Sequence, residues 1–296
     1  MANQSSTWDA NPFESPAASK GSGAGLTAEQ VARLQEAFGD RAKIAGSSTK
    51  AVSADEYARR LAQDIAEDRA LAKRAQQDNI EKALKEWKES IEPRWRDAEL
   101  SMVNPESKPY RAITDKVKRW RSGKGLNELS LLLVGALGRG KTYMGYVYIN
   151  ALISQGLLHA GQVFVSTERT LAAVATSGFE KEKRMRDIIS PRYKFFLIDD
   201  IGRGAFGNSE SARGEIWFEL LNHIYSNQLA FVGTTNLRAA APKGEPSDLQ
   251  RWIGSASWER LGHIVGSSGY LHFSEEEENM RKVVGQQWED HYQKER

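Results

Sequence analysis

Gly135-Ala136-Leu137-Gly138-Arg139-Gly140-Lys141-Thr142 fits the pattern G-x-x-x-x-G-K-[ST], a spacing suited to wrapping a polyphosphate. Gly135, Gly138 and Gly140 let backbone N–H groups converge on phosphate oxygens without Cβ clashes. A helix opening near Gly140 would add its free N–H groups and positive dipole end. Lys141 would reach the β- and γ-phosphates, and the Thr142 hydroxyl would hold Mg²⁺. Arg139 and Tyr143 border the same cradle. Downstream, Phe195-Phe196-Leu197-Ile198-Asp199-Asp200-Ile201-Gly202 delivers two acids at the end of an apolar run. Asp199 would hold Mg²⁺, directly or through water, and Asp200 sits where a general base would polarise an attacking water. Asn236 closes another apolar run and could orient that water or contact the γ-phosphate.

Such groups need a sheet beneath them. Leu129–Val134 reads as a buried parallel strand leading into the glycine loop, and Thr142–Ile153 as the helix leaving it. Gly161–Ser166, Phe195–Gly202, Leu229–Asn236 and Tyr270–Phe273 supply further strands. Helices are expected over Tyr110–Arg121, Glu215–Leu221 and Ser257–Leu261. Thr167–Ile189 reads as helical with a break at Ser177-Gly178, 238–256 as irregular, and Glu275–Glu278 as the start of a terminal helix. The helix ending at Arg121 is basic through Lys116, Lys118, Arg119 and Arg121, with Lys124 just beyond.

The 296 residues are 40% hydrophobic with a formal net charge of +2, and mean hydropathy is −0.57. That profile suits one large domain plus polar, poorly packed sequence. Near-neutral charge restricts any nucleic-acid surface to a local basic patch. There is no cysteine, which excludes disulfides, thiolate catalysis and cysteine-ligated zinc. The five histidines lack metal-ligand spacing. No apolar stretch reaches the roughly 20 residues of a membrane span and no signal-peptide pattern opens the chain, so a cytoplasmic protein is expected.

Residues 1–25 are rich in Ser, Ala, Gly and Asn and are expected to form a disordered tail, with a short docking motif around Trp8–Phe13 as the alternative. Residues 26–92 are expected to form a helical, partner-binding region. Thr27-Ala28-Glu29-Gln30 and Ser53-Ala54-Asp55-Glu56 are capping boxes, and Gly46-Ser47-Ser48 links the two helices. The second helix, residues 54–91, carries eight basic and nine acidic residues and would be about 57 Å long, outside any compact core. Its two apolar stripes, Tyr57/Leu61/Ile65 and Ile80/Leu84/Trp87/Ile91, need a covering partner. The remaining residues, 93–296, are expected to form the nucleotide-binding domain.

The order of glycine loop, Asp-Asp strand, Asn-terminated strand and later arginine resembles the AAA+ ATPases. The finer resemblance is to the DnaC/DnaI helicase loaders and the IstB transposition ATPases. Glu92-Pro93-Arg94-Trp95-Arg96-Asp97-Ala98, Gly140–Gly145, Leu197–Gly202 and Gly233-Thr234-Thr235-Asn236-Leu237 carry it, over residues ~92–285. It implies an α/β fold: a three-layer αβα P-loop core with a parallel sheet and little or no lid, preceded by an extended α-helical N-terminal region. It makes Asp199-Asp200 the Walker B acids and Asn236 sensor 1. It makes Arg260 an arginine finger acting on the ATP of a neighbouring subunit, with Arg251 the second candidate, and Arg281 sensor 2. The 36 residues after Arg260 are too few for a full helical lid. Residues 167–190 correspond to the family's insertion linked with single-stranded DNA, where Arg169, Phe179, Lys181, Lys183, Arg184 and Arg186 would track a backbone and stack a base. Against this, Glu168, Glu180, Glu182 and Asp187 interleave there, as on an ordinary solvated helix. The implied activity is ATP hydrolysis to ADP and phosphate, with ATP and Mg²⁺ as cofactors, within an ATP-bridged oligomer. The implied role is loading a replicative hexameric helicase onto single-stranded DNA. An IstB-like regulator that binds duplex DNA and recruits a transposase, or an adaptor using ATP only as a switch, are the alternatives.

Overall fold

The structure, a computed structural model, describes residues 54–121, 126–175, 177–206 and 210–273. The expected N-terminal tail, the helix from Thr27, the 46–48 linker, Lys124, Arg281 and the terminal helix lie outside the described residues. The chain divides into two compact units, 1–65 and 66–296. Helix α1, Ala54–Ser90, spans that division. In the first unit its Tyr57 and Ile65 are exposed.

The second unit is built on strands β1 (Leu131–Gly135), β2 (Val163–Thr167), β3 (Phe195–Ile201), β4 (Ala230–Thr235) and β5 (Tyr270–Phe273). They form one sheet in the order β2-β3-β4-β1-β5, and every pairing is parallel. Parallel strands need covering on both faces, which is why β1, β3 and β4 read as continuous apolar runs. Phe195 and Leu197 enter one apolar cluster, while Phe196 and Ile198 enter the other. That two-residue period puts a helical layer on each side of the sheet. This is the expected αβα P-loop fold.

Helices α2 (Lys108–Arg121) and α3 (Lys141–Ser154) belong to the first layer. Almost all of α3 from Met144 to Ile153 is buried, and it lies close on the sheet. A Cβ on Gly145 would stand 3.0 Å from Leu197 Cδ1. The other layer holds α4 (Glu168–Ala175), α5 (Lys181–Ile188), α6 (Glu210–Ser226), α7 (Asp248–Ile253) and α8 (Ser255–Val265). The break at Ser177-Gly178 is present, as a short 3₁₀ turn over Gly178–Glu180 between α4 and α5. The stretch expected to be irregular, 238–256, instead contains α7. Its start is fixed by Ser247, whose Oγ accepts from Gln250 N at 3.1 Å, a local N-cap in a weakly patterned stretch.

Two surface expectations change. Lys116 is not part of a basic face: it is buried, and its ammonium donates to Glu128 O at 2.8 Å. Burial pushes its pKa down. The C-terminal turns of α1 are not outside the core either. Ala83 and Trp87 are buried in the same cluster as α3. Trp87 Nε1 donates to Asn150 Oδ1 at 2.5 Å, and Asn150 Nδ2 donates to Ala98 O at 2.6 Å. Tyr146 stacks on Trp95 with ring centroids 5.0 Å apart. The second apolar stripe is therefore covered by the chain itself, while Leu71, further up the helix, is 61% exposed.

This arrangement makes Trp87 part of the second unit's core. Trp87→Ala is expected to lower unfolding free energy by about 3–5 kcal/mol. Trp87→Phe, which keeps most of the volume but strands Asn150 Oδ1, should cost about 1–3 kcal/mol. Urea unfolding of the two variants checks both values.

Candidate functional site

The loop between β1 and α3 has the shape its glycines require. Gly135 has φ +152°, and a Cβ there would stand 2.5 Å from Phe273 O. The end of β5 thus packs where a side chain would be. Gly140, at φ +80°, precedes α3, whose N-terminus has no side-chain cap. Free N–H groups at that end remain available to an anion.

Lys141 is buried. Its ammonium donates to Gly135 O at 2.8 Å, Ala136 O at 2.7 Å and Asn236 Oδ1 at 2.8 Å. The Thr142 hydroxyl donates to Asp199 Oδ1 at 2.8 Å. Four motifs far apart in sequence therefore meet: the glycine loop, Lys141-Thr142, the acids and Asn236. Arg139 and Tyr143 flank them half-buried. Burial pushes the Tyr143 phenol pKa up, helped by the nearby Glu99 and Asp97 carboxylates.

The two acids sit on a bulge. β3 pairs Ile198 with Gly233 and Ile201 with Thr235, one residue more on β3 than on β4. Asp200 takes φ +57°, a left-handed value that Asp tolerates better than most residues. A regular strand would send Asp199 and Asp200 to opposite faces, and a bulge re-aims one of them. Burial pushes the Asp199 pKa up, while hydroxyl bonds from Thr234 and Thr142 pull against it and the neighbouring Asp200 charge adds to the rise. Among the described residues, no side chain bonds the Asp200 carboxylate.

Thr234 was not singled out from the sequence, yet it holds this bulge. Its hydroxyl donates to Asp199 Oδ1 at 2.5 Å and accepts from Asp200 N at 3.0 Å. Thr235 Oγ1 donates to Ile201 O at 2.8 Å and accepts from Leu237 N at 3.0 Å. The two hydroxyls replace ladder bonds that the extra residue removes. Two threonines closing an otherwise apolar buried strand were the available signal.

The oxygen pair Thr142 Oγ1 and Asp199 Oδ1 fits Mg²⁺, which takes one or two protein oxygens and completes its shell with phosphate and water. No group of three or more His, Cys, Asp or Glu able to hold a metal occurs among the described residues.

The remaining expected residues lie elsewhere. Arg260, on α8, donates from Nε to Asn222 Oδ1 at 3.0 Å, and its guanidinium lies 4.3 Å over the Phe218 ring. Both partners are on α6. Arg251 pairs with Asp248 at 2.7 Å. Phe179 is fully exposed on the turn between α4 and α5. Around it, Lys181 pairs with Glu215 at 2.6 Å, Arg184 with Glu180 at 2.5 Å and Arg186 with Glu182 at 3.6 Å. Arg169 and Lys183 are exposed. Glu168 does not belong to this surface: it is 0% exposed. Its Oε2 accepts from Gly202 N and Gly204 N, both at 2.7 Å, in the loop after the acids.

No protein-family model matches the chain, and no curated protein does. Among solved structures, DnaI is similar at 14% identity, covering 63% of this chain and 93% of that one, with a TM-score of 0.47. The DnaC helicase loader is similar at 14% identity over 62% of this chain and 100% of that one, with a TM-score of 0.45. AMPPCP-bound DnaA from Aquifex aeolicus is similar at 15% identity over 68% of this chain, with a TM-score of 0.45; the match spans 56% of that DnaA.

The hydroxyl of Thr234 can be removed without changing shape. Thr234→Val is expected to weaken Mg²⁺-dependent nucleotide binding by roughly tenfold, about 1.4 kcal/mol, while binding without metal changes little. Thr234→Ser should restore it. Titration calorimetry with and without Mg²⁺ reads the difference.

Proposed function

We propose that this chain is an ATP-hydrolysing AAA+ protein of the DnaC/DnaI and IstB kind, working as a loader of a replicative hexameric helicase onto single-stranded DNA. One observation carries the ATPase part. Lys141 bonds Asn236 and Thr142 bonds Asp199, so the expected phosphate-binding, metal-binding and water-orienting groups share one part-buried cluster. Lys141 and the α3 N-terminus bind the phosphates, and Asn236 orients the γ-phosphate end. Asp199 and Thr142 would hold Mg²⁺, which would supply positive charge against the phosphates. Asp200 accepts a proton from the attacking water. Its carboxylate is free of side-chain bonds among the described residues, which suits a base.

Arg260 acts on a neighbouring subunit's ATP in this reading, consistent with partners on α6 rather than in its own glycine loop. Its bonds there, one to a neutral amide and one to a ring, are weak enough to exchange for phosphate. The loader part rests on the sequence resemblance and on α1. The second stripe of α1 is internal, so the helicase-binding surface is the stripe of Tyr57, Leu61 and Ile65. Phe179 and its basic neighbours are the single-strand contact. The Arg184–Glu180 and Arg186–Glu182 pairs are exposed and cost little to break. No helix among the described residues is long and apolar enough to cross a membrane.

Asp200→Asn retains a residue tolerant of the left-handed backbone and removes only the charge. ATP binding should stay within roughly twofold, while turnover falls by about 10²–10⁴-fold. Full turnover in this variant would remove Asp200 from the mechanism. Arg260→Ala should cut turnover of assemblies by about 10³-fold, and mixing with Lys141→Ala subunits should restore part of it. The loader role is checked by co-purifying the full chain with the host's replicative helicase in ATP. ATP-dependent filaments on duplex DNA, with no helicase bound, would point to the IstB-like role instead.

A further inference from the structure

Glu168 is the first residue of α4, directly after β2. A buried carboxylate is costly unless its oxygens are satisfied, and this one accepts four hydrogen bonds. Oε2 takes the two amides of Gly202 and Gly204. Oε1 takes the indole N–H groups of Trp217 at 2.8 Å and Trp252 at 2.6 Å. The two oxygens thus serve two different bodies. One holds the loop that begins at Gly202, with only Ile201 between it and Asp199-Asp200. The other holds α6 through Trp217 and α7 through Trp252.

Trp252 is itself gripped. Arg213 Nε donates to Trp252 O at 2.6 Å, and the Arg213 guanidinium lies 4.2 Å over its ring. Only Gly254 separates α7 from α8, the helix bearing Arg260. Arg260 in turn lies across Asn222 and Phe218 of α6. One carboxylate therefore ties the loop after the acids to α7, the helix next to the arginine-bearing one.

We propose that Glu168 is a positioning residue that couples the loop following Asp199-Asp200 to α7–α8, so that nucleotide at the acids sets the placement of Arg260. This rests on the nucleotide reading of the site. Glutamine is the informative replacement. It keeps the volume but accepts on one oxygen only, and its NH₂ group would face two N–H donors. Glu168→Gln therefore cuts one of the two ties while leaving the other.

The test follows the Trp217 and Trp252 indole N–H resonances of the full chain, assigned with Trp217→Phe and Trp252→Phe, during titration with Mg²⁺ and AMPPNP. Calorimetry measures the binding in parallel. In the wild type, nucleotide should shift the Trp252 signal. In Glu168→Gln that response should vanish, with KM for ATP within about twofold and kcat lowered roughly ten- to a hundredfold, the scale expected of misplaced groups. Trp252→Phe, which removes one of the four bonds and no charge, should lower kcat in the same sense and serves if Glu168→Gln does not fold. A lower melting temperature with unchanged kcat in the folded variants would make Glu168 merely structural and overturn the coupling. A Trp252 signal that stays fixed in a wild type that binds nucleotide overturns the coupling alone. A wild type that binds no nucleotide overturns the reading of the site, and the coupling with it.

Discussion

The site depends on where β3 stops pairing regularly with β4. A parallel ladder would carry Asp199 and Asp200 to opposite faces and leave one of them in the apolar layer beneath. The extra residue on β3 breaks the ladder at that point, and the break would leave backbone groups unpaired in a buried region. Thr234 and Thr235 supply the missing partners from their hydroxyls. One strand end is thereby irregular in its backbone yet tied by side-chain hydroxyls.

The same economy of buried polar groups runs through the rest of the unit. Lys141, Asn150 and Glu168 are all buried and all multiply bonded. Each joins segments distant in sequence: Lys141 joins β1 to β4, Asn150 joins α1 to the segment before α2, and Glu168 joins β2 to the acid loop, α6 and α7. Buried polar networks of this sort are rigid when complete and costly when any member is lost. They hold the glycine loop, the acids and Asn236 in register with one another, a task that apolar packing alone, being non-directional, does not perform.

Much of the site was visible in local pattern. The glycine loop and the Asp-Asp and Thr-Thr-Asn strand ends were legible because each combines a residue-type pattern with an adjacent apolar run, and strand, loop and helix periods differ enough to be told apart. β5 was found at its observed limits, Tyr270–Phe273. The helix α7 was not found, because six residues give too few turns for a periodic signal and its cap is a single serine. The sequence does not set Glu168 apart from surface charges, since a lone glutamate at a helix start looks the same whether its carboxylate meets water or four N–H donors. The second stripe of α1 was visible as a stripe, but its partner was not. Trp87 meets Asn150 across 63 residues of chain, and no short-range pattern encodes that meeting.

The division has one physical cause. Short-range order, the phosphate loop, the burial of the strands and the choice of acids follow from residue type and spacing, because they depend on backbone sterics and on the period of apolar residues. The identity of the groups that hold the acids, the internal fate of Trp87 and the four-way bonding of Glu168 depend on side chains meeting after the sheet has formed. Those meetings are directional hydrogen bonds between residues tens of positions apart, and only the folded chain decides which donors arrive at which acceptors.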